Sequence, residues 1–362
     1  MFGALKEWWE RRRALRELRA SEDEGSQGFR KFFVEQILDA RSSLIRGDRP
    51  LALRIWRDMN ERFPKLILTS DEALNLLVDL GQYDEADALV RTGRKRYPRY
   101  RLMYAAIFAR AAQGRGDADE TLRRCAILRR KFPHSGVGYT VAASCLSSLG
   151  RQEDAEAMIE QGVRKVPGSY EISVAYARHA ERRRDWPRAL DRWKALKDRF
   201  DEFLGPVGMA QSLRETGRYL EATEIALEAS VRFPKSPWAD VELARIAAAQ
   251  GDLEGTARRW QIARERFPDF PVAYIAGAEA ERRIGREAEA DKILNLAVAR
   301  MRFDLGVHLE YARSADRRGD LAAAERWSLV RDRFPTCQEA QDHKGDHVAA
   351  KAPATEDGTG LP

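Results

Sequence analysis

Five arginines occupy one position of a repeating pattern, Arg41, Arg110, Arg178, Arg245 and Arg313, at intervals of 69, 68, 67 and 68 residues. Each follows an alanine, and the residue four before it is Ile37, Ala106, Val174, Val241 or Leu309. No carboxylate therefore stands at the spacing that best supports an exposed helical ion pair. A guanidinium is permanently charged, and its planar fork bonds carboxylates or phosphates two-pronged. A ladder of such groups would bind an anionic partner without breaking any bond in it. The competing reading gives each arginine an acid on a neighbouring helix, for which 57 acidic residues offer ample opportunity.

Motifs for bond-making chemistry are missing. The sequence holds no H-E-x-x-H, G-x-S-x-G or P-loop, and Gly114-x-Gly116 follows a helical pattern where a dinucleotide fingerprint needs a strand. His179 and His308 stand alone in helical patterns. His343 and His347 share a face only if a helix runs through Gly345, a weak metal signal without further ligands. Cys125 and Cys145 fall on apolar helical faces and Cys337 lies apart, which suits reduced thiols better than a disulfide framework or a zinc site. The acidic pairs Asp84-Glu85 and Glu153-Asp154 follow turns, where anions stabilise the start of the next helix. Neither catalysis, cofactor nor metal is expected.

The elements that must position the arginines repeat. Turn residues recur at Gly47, Gly81, Gly116, Gly150, Arg184, Gly217, Gly251, Gly285 and Gly319, spaced 33 to 35 apart. Five residues after each turn stands Ala52, Ala86, Thr121, Ala155, Ala189, Ala222, Thr256, Ala290 or Ala324. Seven before it stands an alanine, or Leu74 in the second unit. Apolar residues three and four apart on both sides of each turn predict two short amphipathic helices, and the small residues let them cross closely. Seven units close on an apolar residue and proline, as at Phe267-Pro268, because proline cannot continue the helix. Neither helix of a unit could bury its stripe alone.

A 34-residue helix–turn–helix with these small, aromatic and proline positions resembles the tetratricopeptide repeat, over roughly residues 33 to 335 in nine units. It departs from that pattern at Leu74, at Asp201 and Arg302, where the closing proline is missing, and in the last unit, whose second half is one residue short. The fold expected is all-α, a right-handed solenoid of antiparallel helix hairpins. The resemblance implies that first helices line a concave groove, with the five arginines beside an apolar strip of Val174, Val207, Val241, Ile275 and Leu309. Such a groove would take an acidic and apolar segment of another protein. The family's peptide-carboxylate clamp has no match, because Asn75 lacks a lysine four residues before it.

Alternate units differ. Where odd units carry the arginine, even ones carry Asn75, Ser144, Gln211 and Glu279, and Trp56, Trp193, Trp260 and Trp327 are all in odd units with Cys125 in that place in the third. This 68-residue super-repeat suggests that hairpins were duplicated in pairs. A purely structural need should arise at every junction, which favours a ligand unless odd and even junctions pack differently.

The 362 residues include 63 basic and 57 acidic ones, and 44% are hydrophobic. This mixed surface gives no reason to expect a nucleic-acid partner. Residues 1 to 28 read as a basic amphipathic helix, with Trp8 and Trp9 among six basic residues, followed by a polar linker. That helix could cap the array or lie on an anionic membrane. Charges interrupt it too early for a signal peptide, and no run of about 18 apolar residues exists, so the expected location is the cytoplasm, with possible attachment to the inner membrane. Residues 29 to 336 form the array, and 337 to 362 read as a disordered tail. Two functions follow: a non-catalytic protein-binding scaffold, or a peripheral inner-membrane accessory of cell-envelope or polysaccharide assembly, where similar arrays occur.

Overall fold

The computed structural model describes residues 27–45, 47–64 and 66–343, and all regular structure in them is helical. Nine hairpins follow one another. Hairpins 1 to 3 pair Gln27–Ile45 with Arg49–Arg62, Ile67–Asp79 with Tyr83–Arg96, and Arg101–Gly114 with Ala118–Lys131. Hairpins 4 to 6 pair Val137–Ser148 with Gln152–Lys165, Tyr170–Arg182 with Trp186–Arg199, and Leu204–Glu215 with Tyr219–Arg232. Hairpins 7 to 9 pair Trp238–Ala249 with Leu253–Arg266, Pro271–Arg283 with Glu287–Arg300, and Leu305–Arg318 with Ala323–Arg333. The chain divides into two compact units, one within 1–41 and 49–263, the other within 42–48 and 264–362.

Turn and crossing positions behave as their residue types require. The eight turn glycines take φ between 64° and 81°, the left-handed conformation that ends a helix. Arg184 is the exception, at φ 56°. A side chain there costs roughly 1–2 kcal/mol. Arg184→Gly is therefore expected to raise the urea midpoint by an amount equivalent to about 1 kcal/mol, part of the gain being lost to the freer unfolded chain. A lower midpoint would mean that the guanidinium stabilises the turn more than the backbone strains it.

At the crossings, Ala52, Ala86, Thr121, Ala155, Ala189, Ala222 and Ala290 are wholly buried, as are Leu74 and Ala177 on the facing helices. The last hairpin corrects the sequence register. Ala323 is buried there and Ala324 exposed, because the missing residue shifts the helix by one, as it shifts Trp327.

Two kinds of seam join successive hairpins. Between hairpins 3 and 4 and between 5 and 6, helices come almost into contact across glycine: a Cβ on Gly138 would lie 3.1 Å from the Cys125 carbonyl oxygen, one on Gly205 2.9 Å from the Lys197 backbone, and one on Gly208 2.4 Å from the Trp193 ring. From even to odd, paired charged side chains share the seam with apolar contacts such as Ile159 with Ile172 and Leu213 with Leu243.

The tail boundary needs correction as well. Residues 337–343 are ordered against hairpin 9: Gln338–Asp342 is a short helix, Ala340 is fully buried, and His343 stacks on Trp327 with ring centroids 4.0 Å apart. Arg331 donates to the Ala340 carbonyl at 3.3 Å, as Arg129 does to Gly138 at 3.2 Å and Arg264 to Ala273 at 3.3 Å. The short helix thus takes the place that the next even hairpin's first helix would occupy. Composition hid this because five residues are too few to show a period. Residues 1–26 and 344–362, including the proposed amphipathic helix and His347, lie outside the described residues.

Candidate functional site

The arginines divide into two populations. One, on second helices, stands a residue before the tryptophan of an odd hairpin, or before Cys125 in the third. Arg124 lies with its guanidinium carbon 3.3 Å from the Phe108 ring centroid, bonds the Phe108 carbonyl, and reaches back to the preceding hairpin, where both oxygens of Asp87 accept from it at 3.0 Å. Arg192 repeats this over Tyr176 at 3.5 Å, bonding the Tyr176 carbonyl at 2.9 Å and Glu156. Arg326 does so over Tyr311 at 3.9 Å, with the Tyr311 carbonyl at 3.0 Å and Asp291 at 3.2 Å.

These side chains are nearly buried, so the pairs sit where solvent screens little. Burial alone would raise the Asp291 carboxyl, but hydrogen bonds from Arg326 and Arg318 outweigh it and hold it below the usual range. At the seam between hairpins 6 and 7, Thr223 and Leu243 replace the acid and the aromatic, and Arg214 pairs instead with buried Glu242 at 2.6 Å. Arg282 and Glu310 repeat that second pair at 2.7 Å between hairpins 8 and 9. By contrast, Arg57–Glu85 and Lys197–Glu228, which cross odd-to-even seams, are partly exposed, at 36% and 47% and at 27% and 56%.

The second population comprises the five first-helix arginines. Arg110 and Arg178 are exposed and make no hydrogen bond or ion pair among the described residues. The Arg245 side chain is 48% exposed, and its nearest acid, Glu242 at 3.8 Å, is already bonded by Arg214. Arg313 is a strut: it grips Glu339 of the short terminal helix two-pronged at 2.7 and 2.5 Å, and that bond pushes its pKa up. Arg41 is half-buried and also engaged. The neighbouring-acid reading thus fits Arg313, and the open positions are Arg110, Arg178 and, in part, Arg245.

The apolar strip does not form as expected. Val174 and Val241 are buried, the former in the cluster around Trp193, so neither offers surface to a partner. Val207 is half-buried. Ile275 and Leu309 are half-buried and pack on the clusters around Tyr274 and Trp327. The residues four before the arginines face the seam because the neighbouring helix comes close enough to cover them.

The remaining reactive side chains serve packing. His308 is buried, with Nδ1 2.9 Å from the Asp304 carbonyl oxygen. His179 is buried 3.0 Å from Glu156, and desolvation lowers its pKa and keeps it neutral. Burial pushes the Cys125 thiol up to about 12 and raises that of Cys145, which makes both poor nucleophiles. Among the described residues no group of three or more metal-ligating side chains comes together.

Comparison with known proteins finds partial likenesses. No family model matches the chain. A curated TPR repeat-containing protein of Pseudomonas aeruginosa is 28% identical over 165 residues, 45% of this chain but only 28% of that protein's length. Among solved structures, a tetratricopeptide repeat protein from Parabacteroides merdae is 12% identical with a TM-score of 0.44, over 67% of this chain and 96% of that one. A thermophilic TPR protein of Thermus thermophilus is 20% identical with a TM-score of 0.39, over 50% and 98%. With its roughly 34-residue period, buried small residues at the helix crossings and left-handed turns, the described part of the chain is an array of nine helix hairpins of tetratricopeptide-like design, and the curated relative similar to part of it carries that repeat.

Proposed function

We propose that the chain is a non-catalytic scaffold that holds an acidic segment of another protein against the first helices of hairpins 3, 5 and 7. The tetratricopeptide fold suits a protein-interaction scaffold, and the anion-binding groups would be Arg110, Arg178 and Arg245. One observation carries this reading: the seam arginines are satisfied by acids, whereas Arg110 and Arg178 stand exposed without one. The scaffold would work in the cytoplasm.

Arg110→Ala with Arg178→Ala is expected to weaken binding of a fluorescent peptide of alternating glutamate and leucine by about tenfold or more, the loss of two charge-assisted bonds. Affinity should fall as salt rises, and the melting temperature should hold. A double variant that melts several degrees lower yet binds the peptide undiminished would make these arginines structural and the reading wrong. A second reading, a peripheral accessory at the inner membrane surface, draws on residues 1–20 and on a charge asymmetry in the described residues.

A further inference from the structure

The net charge of +6 is concentrated. Between Asp87 and Asp117 the chain has eight basic residues and no acid, and between Glu120 and Glu153 six more and again no acid. Part of this charge is spoken for: Arg115 and Arg124 bond Asp87, Arg123 bonds Glu120, and Arg151 bonds Asp154.

Most of the rest gathers on one edge. In a hairpin array, second helices end and the next first helices begin on the edge away from the turns. A cleft of about 610 Å³ confirms that these loops adjoin in hairpins 3 to 5, since Leu102, His134 to Val137, and Lys165 to Ser169 all line it. Along this edge Lys95, Arg96, Arg99, Arg101, Arg130 and Lys131 are exposed and make no hydrogen bond or ion pair among the described residues. Exposed His134 and Lys165 continue the series at the cleft, with Glu171 the one carboxylate among its lining residues.

Basic last turns are ordinary, because cations stabilise the negative end of a helix. Elsewhere on such edges, however, an acid answers them: Asp58 for Arg62 at 2.8 Å, Asp201 for Arg232 at 3.0 Å, and Asp269 for Arg300 at 3.3 Å. Hairpins 2 and 3 lack those acids, and in hairpin 4 Glu160 answers Arg164 only loosely, at 3.9 Å. The first described helix also begins on this edge, at Gln27.

We propose that this edge of hairpins 2 to 4 is a contact surface for an anionic membrane. Its charges are spread over three loops, as a broad surface of like charge requires. The large exposed apolar side chains lie on other elements, so the edge would bind by charge and not by insertion. No described helix is long and apolar enough to cross a membrane, and the contact is peripheral. The proposal rests on the peripheral-membrane reading and is independent of the groove arginines.

The test is co-sedimentation of the full chain with phosphatidylcholine vesicles that contain phosphatidylserine, against phosphatidylcholine alone. An edge variant carries Lys95→Glu, Arg99→Glu and Lys131→Glu. A control of equal charge change carries Arg54→Glu, Arg258→Glu and Arg302→Glu, at exposed sites elsewhere. The wild type should bind only the anionic vesicles, less as salt rises, and the edge variant should bind them at least about tenfold more weakly, with the control much closer to wild type. Equal losses in both variants, or equal binding to neutral vesicles, would overturn the proposal. If the wild type ignores vesicles but binds a labelled single-stranded RNA that the edge variant releases, the edge is a nucleic-acid surface and the membrane assignment fails. The glutamate-leucine peptide assay on the same samples keeps the two readings apart, because edge reversal should leave that affinity within about twofold while groove substitutions should leave vesicle binding intact.

Discussion

Asp87→Ala is expected to destabilise the array by about 3–5 kcal/mol, the usual cost of stripping one partner from a buried ion pair. Asp87 is 4% exposed, holds both prongs of Arg124 at 3.0 Å and takes a bond from Arg115 at 3.2 Å. Without it Arg124 would keep Glu120 at 2.6 Å, which puts the expected loss toward the lower end. The guanidinium cannot swing freely into water, because Phe108 lies against its face and accepts from its edge. Urea denaturation followed by helical circular dichroism measures the loss, and hydrogen exchange should place it in hairpins 2 and 3. Asp87→Leu with Arg124→Met should recover most of it, since apolar pairs of similar volume often replace buried ion pairs without penalty. A single-variant curve that overlays the wild type would mean that this seam is not held by its charges.

Gly208→Ala should destabilise by about 1–3 kcal/mol through overpacking, although alanine in place of a helical glycine ordinarily stabilises by about 1 kcal/mol. The sign reverses because the new Cβ would sit 2.4 Å from the Trp193 ring. That ring is pinned: it is 2% exposed and donates its indole N–H to Glu181 at 2.7 Å. Gly205 tightens the same seam against the Lys197 backbone, so the helix cannot easily slide away. Gly168→Ala, where a Cβ meets no atom within 4 Å, is the control and should leave the melting temperature nearly unchanged. A rise in melting temperature for Gly208→Ala would show that the helices stand farther apart than this.

The repeat was legible because its requirements are local. A left-handed turn selects glycine, a close crossing selects alanine, and both recur at fixed distance along the chain. The seams were not. Arg124 meets Asp87 across 37 residues and Arg192 meets Glu156 across 36, between helices whose facing sides no single period reveals. A signal was nevertheless present: arginine directly precedes Cys125, Trp193, Trp260 and Trp327, at intervals of 68, 67 and 67 residues, and in odd hairpins alone. It marks the physical basis of the alternation, since odd and even junctions do pack differently. That weakens the inference from alternation to ligand, and the case for Arg110 and Arg178 now stands on their exposure. Arg313 was misjudged because its acid, Glu339, lies in a stretch whose composition resembles a tail. Val174 and Val241 were misplaced because a helix position between groove and seam is decided by the size of its neighbours.

The short helix Gln338–Asp342 bears on where the chain could be cut. A version ending after hairpin 4 would bare Glu156 beside Ile159, and one ending after hairpin 6 would bare Arg214 beside Leu213, so a charge that water readily takes up lies within each newly opened apolar face. A version ending after hairpin 3 would bare Leu128 and Cys125, and one ending after hairpin 5 would bare Trp193 and Leu196. Such apolar faces stick to their own copies. Short forms with an even hairpin last should therefore be the more soluble, while a form with an odd hairpin last would gain most from a covering stub such as the one that shields Trp327.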